Sequence, residues 1–163
     1  MKSRLLATDP DPLLRGIYRA YFPHFGFEVV TAGDGLECVG LLREFAPDAL
    51  ILSLELLWGG GDGVLSFVRE QSQLQPIAVV LTTDGLSLAK ATKHLVPPVV
   101  RLLEKPLRLR DLRAGVEAAL HGKLVRAIVR AADEAASRDG ADVLGVTRSA
   151  LTYRPETEEI RHV

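Results

Sequence analysis

The sequence predicts an α/β fold, a doubly wound five-stranded parallel sheet with a small C-terminal appendage. Three observations predict it: five short apolar runs, a helix-periodic segment after each, and polar residues where the runs stop. A strand covered on both faces reads as a continuous apolar run rather than as an alternation. The clearest such run is Ala49, Leu50, Ile51 and Leu52, which ends at Ser53 and Glu55 before a glycine-rich loop. In open parallel sheets the ligand crevice lies outside the carboxyl ends of the strands. Ser53 is therefore where chemistry is to be sought.

The elements follow in order. Residues 4–8 form the first strand, and Asp11 caps a helix over 12–22 that has Pro12 at its first position, where a missing N–H costs nothing. Leu13, Leu14, Ile17, Tyr18 and Tyr21 are spaced to face the core, and Pro23 and Gly26 stop the helix. Residues 27–31 form the second strand, and 34–45 form a helix opened by Asp34 with Leu36, Val39, Leu41 and Leu42 facing inward. After the third strand and its glycine run, residues 63–73 are helical, 76–82 a fourth strand, 86–95 a helix and 99–103 the fifth strand. Residues 108–121 make a further helix with Gly122 at its C-terminal cap. The crossovers between parallel strands are expected to be right-handed.

Size and composition exclude several classes. With 163 residues, 47% hydrophobic and 25% charged, the chain has the make-up of one globular domain with a short appendage. A net charge of -1 implies no global attraction to nucleic acid or membrane. The single cysteine, Cys38, lies in an apolar helical pattern and reads as a buried small side chain. The first residues are too weakly apolar for a signal peptide, and no run reaches the ~20 apolar residues of a membrane span, so a cytoplasmic protein with no membrane contact is expected.

Residues 4–121 resemble the receiver domains of two-component response regulators. The resemblance is carried by Asp9, the Pro47-Asp48 pair before the third strand, Asp62-Gly63, Thr82 and Lys105-Pro106, all at the family's spacings. It implies a flavodoxin-like strand order of 2-1-3-4-5 and a cis bond before Pro106. It also implies a phosphoacceptor pocket at the strand ends, formed here by Asp9, Pro10, Ser53, Glu55, Thr82 and Lys105.

In the family an aspartate at the end of the third strand accepts a phosphoryl group, helped by a magnesium ion on acidic residues. Here Ser53 stands at the acceptor position and Pro10 at the second acidic position, so two of three carboxylates are gone. Asp11 could supply a carboxylate by a one-residue shift, but as the helix cap it should point away. A serine needs a base to become nucleophilic, and His24, His94, His121 and His162 sit singly at helix or chain ends. Leu102 fills the position of the family's switch aromatic. Lys105 is expected to pair with Asp9 or Glu55, since a buried charge must be paired. Trp58, in the longer loop after the strand, would either cover the pocket or lie on the surface. No metal or other cofactor is expected.

Residues 123–137 are helix-periodic, and two readings of the end stand open. Residues 140–154 resemble the helix-turn-helix of the Fis-type family, with Ala141, Gly145, Thr147 and Leu151 at the matching positions, which would turn Arg148, Ser149, Thr152 and Tyr153 toward DNA. The other reading is a hairpin of 150–154 and 159–163. Residues 121–163 carry seven basic and seven acidic side chains, a poor electrostatic footprint for DNA.

Residues 1–121 are thus expected to be a receiver-like domain and 122–163 a helix with a helix-turn-helix or hairpin tail. The expected function is phosphorylation-independent signalling through a protein partner or a homodimer, without enzymatic activity. The alternatives are a transcriptional regulator whose tail binds DNA, and weak metal-assisted phosphate chemistry at Asp9, Asp11 and Glu55.

Overall fold

A computed structural model describes residues 1–74, 77–84 and 92–138. The strands β1 (Ser3–Thr8), β2 (Phe27–Ala32), β3 (Ala49–Ser53), β4 (Ala78–Asp84) and β5 (Val99–Lys105) form one all-parallel sheet in the order β2-β1-β3-β4-β5. The helices are α1 (Pro12–Tyr21), α2 (Gly35–Phe45), α3 (Gly60–Glu70) and α4 (Leu109–Arg138). This is the expected fold class and strand order.

The period of two in a strand divides the core between the faces of the sheet. Leu50 and Leu52 of β3, with Leu6, Val79 and Leu81, pack with Cys38 and Leu42 of α2 and with Val64, Leu65 and Val68 of α3. Ala49 and Ile51, with Leu5, Ala7 and Val80, pack on the other face with Tyr18, Phe22, Leu112 and Val116. The same alternation puts Asp9, Ser53, Thr82 and Lys105, the residues that follow Ala7, Ile51, Val80 and Leu103 by two, on this second side. It delivers them to one edge, the carboxyl edge.

Helix α1 is capped as expected: the Asp11 carboxylate accepts from the Leu13 N–H at 2.8 Å. Leu13 itself is 70% exposed, and so is Leu36 of α2, against the inward facing expected of both. At 100° per residue Leu13 lies about 140° around α1 from buried Tyr18, and Leu36 about 160° around α2 from Cys38. Apolar type misled where angular position decided.

Helix α3 begins three residues earlier than expected, because the glycine run read as loop supplies its first turn. Gly59 sits at φ 97° as the residue before the helix. A Cβ on Gly61 would come 2.7 Å from both Leu54 Cα and Ser53 O, so only glycine lets α3 close against the end of β3. Strands β4 and β5 each run two residues past their expected ends. The helix expected over 86–95 lies mostly outside the described residues; Thr92–His94 form one 3-10 turn.

Helix α4 runs through Gly122, which therefore caps nothing. An interior glycine costs only about 1 kcal/mol, and the Ala-, Arg- and Leu-rich sequence on either side carries the helix across it. The chain divides into two compact units, Met1–Ile128 and Val129–Val163, and within the second Arg130 pairs with Glu134 at 3.0 Å, one helical turn apart. Arg148, Ser149, Thr152 and Tyr153, and the choice between helix-turn-helix and hairpin, lie outside the described residues. Among the described residues no helix is long and apolar enough to cross a membrane.

Candidate functional site

The strand ends bring Asp9, Ser53, Glu55 and Lys105 into contact. Asp9, the first residue beyond β1, is only 1% exposed. Its Oδ1 accepts from the Asp11 N–H at 2.9 Å, and its Oδ2 lies 2.9 Å from Lys105 Nζ. The second contact is an ion pair without hydrogen-bond alignment. The loop between β1 and α1 is clamped from the helix side, where Arg15 Nη1 donates to the carbonyls of Asp9 at 2.7 Å and Pro10 at 2.9 Å.

Ser53 is fully buried, and its N–H donates to Thr8 Oγ1 at 3.0 Å, beyond the last paired residues of β1 and β3. Its hydroxyl donates to Glu55 Oε2 at 3.0 Å and accepts from Lys105 Nζ at 3.1 Å. Glu55, in the turn after β3, folds back over the strand end. Its Oε1 accepts from Thr83 Oγ1 at 2.7 Å and from the Asp84 N–H at 3.1 Å, while Oε2 lies 3.5 Å from Lys105 Nζ. Burial pushes the Glu55 carboxyl up, but the bonds from Thr83, Asp84 and Ser53 and the charge of Lys105 outweigh it. The carboxyl ends below its ordinary value. A carboxylate so stabilised is a poor proton acceptor for the Ser53 hydroxyl.

Lys105 is the last residue of β5, paired in register with Asp84, and is followed by a cis bond to Pro106, as the resemblance implied. It pairs with Asp9 and, more distantly, with Glu55, the two partners expected of it. Thr82 is fully buried beside Ser53 in the β3–β4 register, and its Oγ1 has no partner among the described residues. Leu102 is half-buried and packs on the core of the α2 and α3 face. Trp58 is 71% exposed at φ 52°, on the surface. His94 meets Asp62 at 2.8 Å, away from the pocket contacts.

The donor set matters for a divalent cation, which the receiver resemblance implies. Asp9 is held by an ammonium group, Asp11 by its own helix, and the remaining positions are Pro10 and Ser53. Among the described residues no three His, Cys, Asp or Glu side chains cluster as metal ligands.

Sequence reasoning missed Thr83, Thr8 and Arg15. Thr82 matched the family's spacing, yet the hydroxyl that reaches the carboxylate belongs to its neighbour. The doublet Thr82-Thr83 was the available signal, and only the turn geometry of Glu55 chooses between its members.

Solved structures share this architecture. A response regulator receiver domain protein from Clostridium thermocellum superposes with a TM-score of 0.69 at 20% identity, covering 76% of this chain and 98% of that one. The chemotaxis protein CheY4 of Vibrio cholerae gives 0.67 at 23% identity, covering 73% and 99%. The chain has the receiver-domain fold.

Among its curated relatives are proteins named as response regulators. Response regulator MprA of Mycobacterium ulcerans is 29% identical over 160 residues, 98% of this chain and 64% of the relative. The DNA-binding response regulator MtrA of Mycolicibacterium smegmatis is 28% identical over 120 residues, 74% and 51%. Regulator of RpoS from Escherichia coli K12 is 28% identical over 111 residues, 67% and 33%. The chain thus spans between a third and somewhat under two thirds of the length of these relatives. No family model matches it.

Proposed function

We propose that residues 1–121 are a degenerate receiver domain that takes up no phosphoryl group, holds no magnesium ion and signals by association with a protein partner or a second copy of itself. One observation carries the reading. At the acceptor position stands the Ser53 hydroxyl, whose proton is directed to Glu55 and whose lone pair is taken by Lys105. An acceptor carboxylate is missing, a base strong enough to replace it is missing at this hydroxyl, and the ammonium group is engaged with Asp9. These contacts also count against metal-assisted phosphate chemistry at Asp9, Asp11 and Glu55. The switch position, Leu102, has no ring to rotate.

The test is intact-mass analysis after incubation with acetyl phosphate and magnesium, beside sedimentation of the same samples. The expected result is no phosphoryl adduct and an association state that the donor leaves unchanged. A stoichiometric adduct that disappears on Ser53→Ala would overturn the reading.

A second reading has support from a relative named for DNA binding, MtrA. In it the tail contacts DNA through Arg148, Ser149, Thr152 and Tyr153, and the receiver-like domain supplies association. Binding to pooled DNA that falls on Arg148→Ala supports this reading, and binding that survives in a chain ending at His121 refutes it.

A further inference from the structure

Four hydrogen-bond donors converge on one carboxylate at the carboxyl edge of the sheet. The Thr83 hydroxyl and the Asp84 N–H bind one oxygen of Glu55 at 2.7 and 3.1 Å, and the Ser53 hydroxyl and the Lys105 ammonium meet the other at 3.0 and 3.5 Å. Two hydroxyls, one main-chain N–H and one ammonium group make a donor set suited to any compact oxyanion. These donors come from β3, β4 and β5, so their spacing is set by the sheet and outlasts removal of the Glu55 side chain. Glu55 comes from the turn, and it is 21% exposed, so the place it fills opens to solvent.

We propose that this donor set is an oxyanion-binding cradle and that Glu55 is its built-in occupant, a tethered carboxylate that excludes free tetrahedral oxyanions such as inorganic phosphate and sulfate. The inference rests on the reading that the pocket accepts no phosphoryl group covalently. A carboxylate on so short a tether is present at an effective concentration in the millimolar range or above, which a weakly held free anion does not match. Charge acts in the same direction. With Glu55 in place two carboxylates face one ammonium group, and an incoming dianion is repelled; without it the charges of Asp9 and Lys105 balance. Asp9 still holds Lys105 in that case, so the opened cradle binds weakly, and Asp9→Asn added to Glu55→Ala should tighten it roughly tenfold.

The experiment titrates the full chain with sodium phosphate, and separately with sulfate, against chloride of equal ionic strength. Tm and the phosphorus resonance of phosphate are followed. The wild type is expected to respond to neither anion beyond the chloride control. Glu55→Ala should gain a saturable, dialysis-reversible rise in Tm with broadening of the phosphate signal, and Glu55→Ala/Lys105→Met should lose both. Wild type and Glu55→Ala responding alike, or a folded Glu55→Ala indifferent to both anions, overturns the proposal. If Glu55→Ala does not fold, Glu55→Ser keeps a polar side chain too short to reach the Thr83 and Asp84 donors; a phosphate response above wild type supports the cradle and none refutes it. A covalent adduct on the wild type would instead sink the reading of the pocket. An adduct-free chain whose variants ignore phosphate sinks the cradle alone.

Discussion

Lys105 reaches Asp9 across the carboxyl ends of the two strands between theirs, β3 and β4, and sets its ammonium nitrogen 2.9 Å from the buried Oδ2. The first and fifth strands of the sheet are thereby joined at the edge where their backbones never meet. Asp9 is almost wholly out of water, and Lys105 is the cation that faces it. Breaking a buried pair from one side strands the other charge.

Lys105→Met should therefore cost about 3 to 5 kcal/mol of folding stability at neutral pH, measured by urea denaturation. Asp9→Asn/Lys105→Met should recover most of that loss, since the stranded charge is gone. A double variant as unstable as Lys105→Met would show that lost lysine packing, rather than the stranded carboxylate, sets the cost.

Glu55 makes stability depend on acidity, with a sign that follows from its lowered native value. A carboxyl that titrates lower in the folded chain than its ordinary 4.5 contributes stability fully present above 4.5 and lost as pH falls through the native value. Between those limits the wild type should lose stability toward acid faster than Glu55→Gln, the two denaturation midpoints converging. Parallel curves for the two proteins through the acid range would remove Glu55 from the account.

The legibility of this chain in its sequence follows the physics of each feature. The inner strands β1, β3 and β4 could be read because a buried strand has no polar side to confuse the pattern, as in Ala49 to Leu52. The pocket members Asp9, Ser53 and Lys105 could be placed because each sits within two residues of the end of an apolar run. Glu55 could be placed in the pocket, but its contact with Thr83 could not be read. Their meeting depends on a turn bending back over the sheet, and no periodicity encodes that bend. Helix faces were misjudged at Leu13 and Leu36, where an apolar side chain lies on the solvent side, and Gly122 was misjudged because glycine inside a strongly helical sequence looks the same as glycine after one.

Two glycines in α3 should respond oppositely to alanine. At Gly61 an added Cβ meets the backbone of Ser53 and Leu54 at 2.7 Å, contacts that rigid atoms cannot yield, and Gly61→Ala should cost about 1 to 3 kcal/mol. At Gly63 nothing lies within 4 Å, and Gly63→Ala should stabilise the helix by roughly 0.5 to 1 kcal/mol. Thermal denaturation of both variants checks the pair, and equal effects at the two positions would contradict the close approach of α3 to the end of β3.

Cys38 gives the last prediction, and it concerns the core against which α2 is packed. The side chain is fully buried among Leu42, Leu50, Val64 and their neighbours. Burial, with the charges of Glu37 and Asp34 adding to it, pushes the thiol up to about 12. Thiolate is the reactive form, so at mildly alkaline pH the native thiol is disarmed twice, by protonation and by enclosure. Iodoacetamide should leave the folded chain unmodified by intact mass while modifying it once in urea, and any slow native labelling should track the opening of the core, accelerating in variants such as Leu42→Ala that lower global stability by about 2 to 5 kcal/mol. Replacement separates packing from polarity at the same place. Cys38→Ala removes one sulfur atom from an apolar contact, whereas Cys38→Ser buries a hydroxyl among hydrocarbon side chains and should cost about 1 to 3 kcal/mol where that hydroxyl finds no acceptor. Rapid labelling of the native chain, with a rate indifferent to Leu42→Ala, would place the thiol at the surface and the α2 face of the core with it.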